Sequence, residues 1–270
     1  MNKVTARLRR MPVILRPGAR SGVRRELLTM DYVLPLRLRR SQSDSLRLRA
    51  RSPAASGTIY FGHRSFPIDR VAYFGIFLER WYDADYLGAV VVDVGAHKGY
   101  YGAYALLEGA AEIRSFEPEA ENFALLEKTA ASFDKPWHTH PAAVGSATGR
   151  ALLHVSGESA SHSLVRNEAS GSRETIRSES VAVVAMEDVL NDARRSGAPI
   201  IVKIDAEGAE CDIVLGTPVE AWQPVEHVFL EVHDFAACST AAIVEHLERA
   251  GLRLTLHVLD DGAELVHLER

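Results

Sequence analysis

The chain has little of what braces small secreted folds and little of what reads nucleic acids. Its 270 residues include two cysteines, Cys211 and Cys238, so no disulfide framework is implied and a reducing compartment fits. Aromatic residues make up 7%. No apolar run approaches the roughly 18 residues of a membrane span. The early segment MPVIL is too short and too soon interrupted for the apolar core of a secretory signal. These absences point to a cytoplasmic protein. Also missing are a Gly-x-Gly-x-x-Gly dinucleotide fingerprint, a phosphate-binding Gly-x-x-x-x-Gly-Lys-Ser/Thr loop, a Gly-x-Ser-x-Gly nucleophile elbow and internal repeats.

The net charge of −5 hides an asymmetry. Residues 1–51 hold 14 Lys and Arg against 3 acids, a balance of +11, and the remainder holds 17 against 33, or −16. A basic arm of this kind is either a solvated tail or a contact for phosphate or an anionic membrane surface. Tyr32 is the one aromatic in it, so base stacking is poorly supported. The acidic body argues against a large nucleic-acid footprint. Residues 1–57 therefore read as a basic, partly disordered N-terminal arm, and residues 58–270 as the folded domain.

Within that domain, residues 58–69 (TIYFGHRSFPID) read as a short hairpin with Gly62 near the turn. A helix is expected over 71–87, with Phe74, Leu78, Trp81 and Asp85 on one face. From residue 89 strands and helices alternate, which implies a parallel sheet with right-handed crossovers. Strands are expected near 90–94, 112–116, 137–144, 200–204 and 228–232. Helices are expected near 99–108, 119–131, 186–195 and 240–250, the last with Ser239 as N-cap and Gly251 just past its end. Segments 252–258 and 264–268 form a closing antiparallel hairpin. Between strands at 151–155 and 180–185 lies a Ser-, Gly- and charge-rich stretch, residues 156–179, which reads as a mobile lid.

The chemistry concentrates at strand ends. Val90 to Gly99, VVVDVGAHKG, is a buried strand followed by a glycine turn and a helix, the arrangement that presents a nucleotide-like ligand in an α/β domain. Glu117 follows Asp93 by 24 residues, at the end of the second strand, where an acid can accept bonds from ribose hydroxyls. Ligands bind outside the carboxyl ends of such strands, and those ends here carry Asp93, Glu117, Asp205, Glu207, Glu231 and His233. Lys203 and Glu231 interrupt apolar strands. A buried charge is costly unless paired, so a Lys203–Glu231 pair across adjacent strands is expected. A neutral His233 can take a proton from a hydroxyl, with Asp205 or Glu231 orienting it. The same three residues can alternatively hold a divalent metal through hard oxygens and an imidazole.

The blocks VVDVGAHKGYY, SFEPEAENFALLEK, AAVG, SHSL, IVKIDAEGAE and FLEVH, in this order over roughly residues 66–258, resemble the FkbM family of S-adenosylmethionine-dependent methyltransferases. The resemblance implies a class I methyltransferase (Rossmann-like) α/β fold, with a seven-stranded, mostly parallel sheet whose last strand is antiparallel. It implies O-methylation of a sugar, glycolipid or secondary metabolite, with S-adenosylmethionine as cofactor. By position it places Asp93, Gly95, His97 and Gly99 in the loop at the methionine end of the cofactor, His97 standing where the family often has Asn. Glu117 would hold the ribose, Val144 would border the adenine, and Asp205 and Glu207 would face the transfer region. The acceptor is then a small molecule or a glycan. Two other function classes compete. One is a nicotinamide-dependent oxidoreductase, against which the Asp-x-Gly-x-x-x-Gly spacing and the lack of a Tyr-x-x-x-Lys pair both speak. The other is a non-catalytic cofactor-binding module whose arm does the work.

Overall fold

The computed structural model describes residues 45–62, 64–157, 161–164, 175–260 and 263–270. Residues 1–44 of the expected arm, and 158–160 and 165–174 of the expected lid, lie outside them. In chain order the elements are β1 (Ser45–Arg51), β2 (Ser56–Gly62), α1 (Phe66–Phe74) with a π-helical continuation (Gly75–Glu79), β3 (Val90–Val94), α2 (Tyr100–Glu108), β4 (Glu112–Phe116) and α3 (Ala120–Ala130). Then come β5 (Trp137–His140), β6 (Ala142–Gly145), β7 (Gly149–Ser156), β8 (Thr175–Ala185), α4 (Met186–Arg194), β9 (Ile200–Ile204), α5 (Glu210–Leu215), α6 (Val219–Trp222), β10 (Val225–His233), α7 (Thr240–Arg249), β11 (Arg253–Asp260) and β12 (Ala263–Glu269).

Seven strands form one sheet in the order β11-β12-β10-β9-β3-β4-β5. β12 runs antiparallel to both its neighbours, and the pairs β10–β9, β9–β3, β3–β4 and β4–β5 are parallel. β3 and β9 are buried at every residue, as strands covered on both faces must be. Side chains alternate between the two layers. Val91, Ile113, Ile201 and Phe229 face a cluster with α1 and α2, while Val90, Val92, Ile200, Val202, Val228 and Leu230 face one with α4 to α7. The few aromatics are concentrated in the first layer, where Phe61 stacks on Tyr100 and meets Phe66 and Tyr73 edge-on. From β3 the chain moves outward to β4 and β5, then returns to β9 on the other side of β3. The order therefore reverses between β3 and β9, where a ligand crevice opens in such sheets.

Several expectations needed correction. β2 pairs along its whole length with β1 rather than with a strand after Gly62. Residues 45–51, inside the stretch read as an arm, therefore belong to a two-stranded sheet packed on the domain. α1 starts at Phe66 because Pro67, which has no N–H to lose, suits a first turn. The helix expected over 71–87 stops at Glu79, where Arg80 turns left-handed (φ 55°). The strand expected over 137–144 is two strands in two sheets. Pro141 cannot donate to a ladder, so β5 ends on the large sheet and β6 begins a second one of order β6-β8-β7. Cys211 and Cys238 are joined in a disulfide, which the cysteine count had not suggested. Ser239 caps α7 as expected, accepting from Ala242 N, and β11–β12 is the expected antiparallel pair. Among the described residues no helix is long and apolar enough to cross a membrane.

Phe61 is fully buried at the seam between β2, α1 and α2. Truncating a core phenylalanine costs about 3–5 kcal/mol. Phe61→Ala should therefore lower the denaturant midpoint of the whole domain in a single transition. A separate early transition confined to residues 45–62 would show that the two-stranded sheet is not part of the same cooperative unit.

Candidate active site at the carboxyl ends of the central strands

The turn after β3 is shaped by its neighbour. Gly95 has φ +69°, and a Cβ there would lie 1.8 Å from the Asp205 carbonyl oxygen, so the loops after β3 and β9 are pressed together and a side chain is excluded. Lys203 locks the contact. Its Nζ donates to the Gly95 carbonyl at 2.9 Å and lies 3.3 Å from Asp205 and 3.6 Å from Asp93. Burial works against its charge, but the carboxylates of Asp205, Asp93 and Glu231 outweigh that and raise its pKa. Burial also raises Asp93 to about 6, against the pull of Lys203. The expected Lys203–Glu231 pair does not form. In register Lys203 stands beside Asp93 and Phe229, and Glu231 accepts instead from the Tyr82 hydroxyl.

His97 adopts a left-handed conformation (φ 53°), which aims its backbone N–H at Glu117 Oε2, 2.8 Å away. Glu119 N donates to the other oxygen at 2.9 Å. Glu117 is thus held across the glycine turn, and burial pushes its carboxyl up to about 8 despite both donors. Lys98, absent from the expected site, reaches away from the turn to Asp69 on α1 at 2.6 Å and to Ser65 at 3.0 Å. Burial lowers the Lys98 pKa against the Asp69 charge. Gly99 turns away from the cleft. A Cβ there would meet Leu126 at 2.9 Å and Trp137 at 3.1 Å, so its role is to let α2 pack.

The loop after β9 is organised by Glu210, fully buried at the start of α5. Its Oε1 accepts from Ala206 N, Gly208 N and the His233 ring, each at 3.1 Å. Glu207 (φ 50°) lies 3.5 Å from the other ring nitrogen of His233. Burial works against a charge on His233, but the Glu210 contact and the charges of Glu207 and Asp205 raise its pKa to about 9. The neutral imidazole expected from the sequence is therefore an imidazolium at neutral pH, oriented by Glu207 and Glu210 rather than by Asp205 or Glu231. Burial, helped by Asp205, pushes Glu231 up to about 7.

These residues share one cavity of about 690 Å³. Gly95, His97, Glu117, Val144, Lys203, Asp205, Glu207, Glu231 and His233 all line it, and Asp93 lies beneath. Phe116, Ala143, Val144 and Leu153 give the Glu117 end an apolar wall. Ser156 and residues 175–179 of the expected lid belong to β7 and β8, and Ser161, His162 and Leu164 from between them line the cavity. They are anchored by a backbone bridge between His154 and Ser163 and by the Ser163 hydroxyl, which donates to the Glu207 carbonyl. Sequence reasoning missed Tyr82, Lys98 and Glu210 as partners in the site. Glu210 is fully buried, which its place in a polar run after the strand does not signal. The ligand atoms of Asp205, Glu231 and His233 lie within 4.8 Å of one another.

The family model described as "Methyltransferase FkbM domain" matches residues 93–254. The chain belongs to the FkbM methyltransferase family. The family description supports a methyltransferase rather than the oxidoreductase alternative. Among solved structures, an FkbM methyltransferase from Methylobacillus flagellatus is 17% identical, over 73% of this chain and 47% of that one, with TM-score 0.46. This chain thus spans about half the length of that relative. A putative RNA methyltransferase from Pyrococcus horikoshii is 14% identical over 74% of this chain and 84% of that one, at TM-score 0.39. A SAM-dependent methyltransferase from Agrobacterium tumefaciens is 9% identical over 85% and 71%, at TM-score 0.41. No curated protein sequence matches the chain.

The S-adenosylmethionine site fits the residues present. A buried carboxyl faces the cavity at the end of β4, with an apolar wall for a base on one side and the β3 turn on the other. Losing a charge-assisted hydrogen bond costs roughly 1.5–3 kcal/mol, so Glu117→Ala should weaken S-adenosylhomocysteine about tenfold or more. If Glu117 holds the ribose, its ionised carboxyl is the form that would accept from the hydroxyls. Affinity should therefore rise with pH toward a plateau above about 8, by about tenfold per pH unit below it. Titration calorimetry across pH should show this step in the wild type and not in Glu117→Gln.

Proposed function

We propose that the protein is an S-adenosylmethionine-dependent O-methyltransferase acting on a hydroxyl of a small molecule or glycan. The observation that carries the reading is the single cavity in which the Gly95 turn and Glu117 adjoin Asp205, Glu207, Glu231 and His233. When bound, the cofactor supplies a sulfonium methyl already activated for in-line displacement. The chain must then align the acceptor oxygen and take its proton. Glu231 suits the second task, since a carboxyl at about 7 is partly ionised near neutral pH and still basic enough to hold a proton. The Tyr82 hydroxyl fixes one of its oxygens. His233 and Lys203 supply fixed positive charge beside it, with Glu207 and Glu210 setting the ring and Asp205 bracing the ammonium. The walls formed by Trp81 and Tyr82 on one side and Leu256, Val258 and Leu265 on the other limit water at the transfer point and suit an acceptor with an apolar body.

A second reading rests on the Asp205–Glu231–His233 cluster, whose spacing suits a divalent cation that would lower the acceptor's pKa directly. The two readings separate cleanly. General-base catalysis is worth about 10²–10⁴-fold, so Glu231→Gln should cut turnover by that order and leave S-adenosylhomocysteine affinity nearly unchanged. The rate should rise with pH through about 7, with no effect of chelation. Loss of activity with a chelator and recovery with a divalent cation would replace the carboxylate base by the metal. Full turnover in Glu231→Gln, insensitive to chelation, would sink both. Transfer of tritiated methyl from S-adenosylmethionine into a hydroxyl-bearing product is the direct test of the activity.

A further inference from the structure

A second cluster of metal-ligating side chains lies at the opposite end of the sheet. β10 and β12 are antiparallel, with His227 opposite Glu269 and Phe229 opposite His267, so all four side chains share one face. His227 is four residues before Glu231, about 13 Å along the strand, and none of the cluster lines the cavity. His227 Nδ1 is 3.1 Å from His267 Nε2 and 3.7 Å from Glu269 Oε2. The His267 ring is held by Phe229, which stacks on it at 4.1 Å, and the two imidazoles meet nitrogen to nitrogen with their centroids 5.4 Å apart. His267 is buried, His227 half-buried, and Glu269 the most open of the three.

The bulge in β11 places an oxygen beside Nδ1 of His267. The register shifts between Leu254 and Leu256, which makes Thr255 the extra residue, and a bulge re-aims its side chain. The Thr255 hydroxyl donates to the His267 carbonyl at 3.2 Å and lies 3.1 Å from Nδ1 of the same residue. In the tautomer in which Nδ1–H of His267 donates to Thr255, Nε2 carries a lone pair toward His227 Nδ1. A metal-bound histidine usually has its second nitrogen donating to an oxygen in just this way.

From this geometry we infer that His227, His267 and Glu269 form a binding site for one borderline divalent cation of the zinc type, with a fourth position open to water. Two nitrogens at about 2.0–2.1 Å from a tetrahedral zinc ion lie about 3.4 Å apart. The 3.1 Å between the imidazole nitrogens, which face each other between centroids 5.4 Å apart, is that of an N–H···N bond, so His227, the more open ring, must swing off this line for both lone pairs to meet the ion. Binding takes the His227 Nδ1 proton to the ring's other nitrogen or to solvent, and both nitrogens then point lone pairs at the ion. Two imidazoles and one carboxylate suit zinc rather than magnesium or calcium, which prefer all-oxygen shells. The ion would clamp the last strand to β10, away from the chemistry.

The test is calorimetric titration of ZnCl₂ into untagged, metal-free protein, with thermal melting in parallel. The expected result is one equivalent of Zn²⁺ bound, with a raised melting temperature, in both wild type and Asp205→Asn. His267→Gln should lose that equivalent, and Glu269→Gln, at a more open residue, should weaken it at least tenfold without altering the zinc-free melting temperature. Co²⁺ in place of zinc should give the intense visible bands of a tetrahedral site, absent in His227→Gln. Zinc binding that survives both histidine substitutions but disappears in Asp205→Asn would place the ion in the cavity and overturn the proposal. Absence of binding to the wild type would overturn it as well.

Discussion

One ammonium group holds the site together. Lys203 sits in a strand that is otherwise apolar and buried at every residue, where an uncompensated charge would be prohibitive. It is tolerated because Asp93 stands beside it in register on β3 and Asp205 follows two residues later, just past the end of its own strand. The carboxylates outweigh burial and keep it charged. Its remaining capacity goes to the Gly95 carbonyl. The same contact that neutralises the lysine thus sets the glycine turn against the loop after β9, and these two loops flank the point where strand order reverses.

The other buried polar groups extend this clamp outward. Lys98 ties the turn to α1 through Asp69, which in turn accepts from Gly62 N at the end of β2. Glu117 bridges the turn to the start of α3 through two backbone donors. Glu210 gathers the loop of Glu207 and the ring of His233, and the Cys211–Cys238 disulfide joins the same two segments. Asp69, Glu117 and Glu210 are all buried and accept from backbone N–H groups of the segments they join. Pre-organisation of this kind is what a transferase needs, because the methyl and the acceptor oxygen must meet in line.

The sequence showed the alternation, the glycine turn, the acid at the end of β4 and the clustering of carboxylates at strand ends, because each is written in local order. It did not show which residues pair across the sheet. Register decides that Lys203 neighbours Asp93 and that Glu231 is left to Tyr82, which comes from the segment before the first strand of the large sheet. Protonation states were hidden for the same reason. A histidine with a single acid would have served as a base, whereas one held between Glu207 and Glu210 stays charged. Pro141 and Arg80 ended elements that apolar periodicity would have continued.

The central claim is that the Lys203 ammonium shapes a cofactor pocket at the strand switch point. It is tested most directly by titrating S-adenosylhomocysteine into wild-type and Lys203→Met protein, with thermal melting as the control for folding. Breaking a buried pair costs about 3–5 kcal/mol of stability, so the variant should melt lower yet still cooperatively. The account predicts saturable one-to-one binding to the wild type and an affinity at least tenfold weaker in the variant, at a temperature where both are folded. Equal affinity in the two proteins would contradict it.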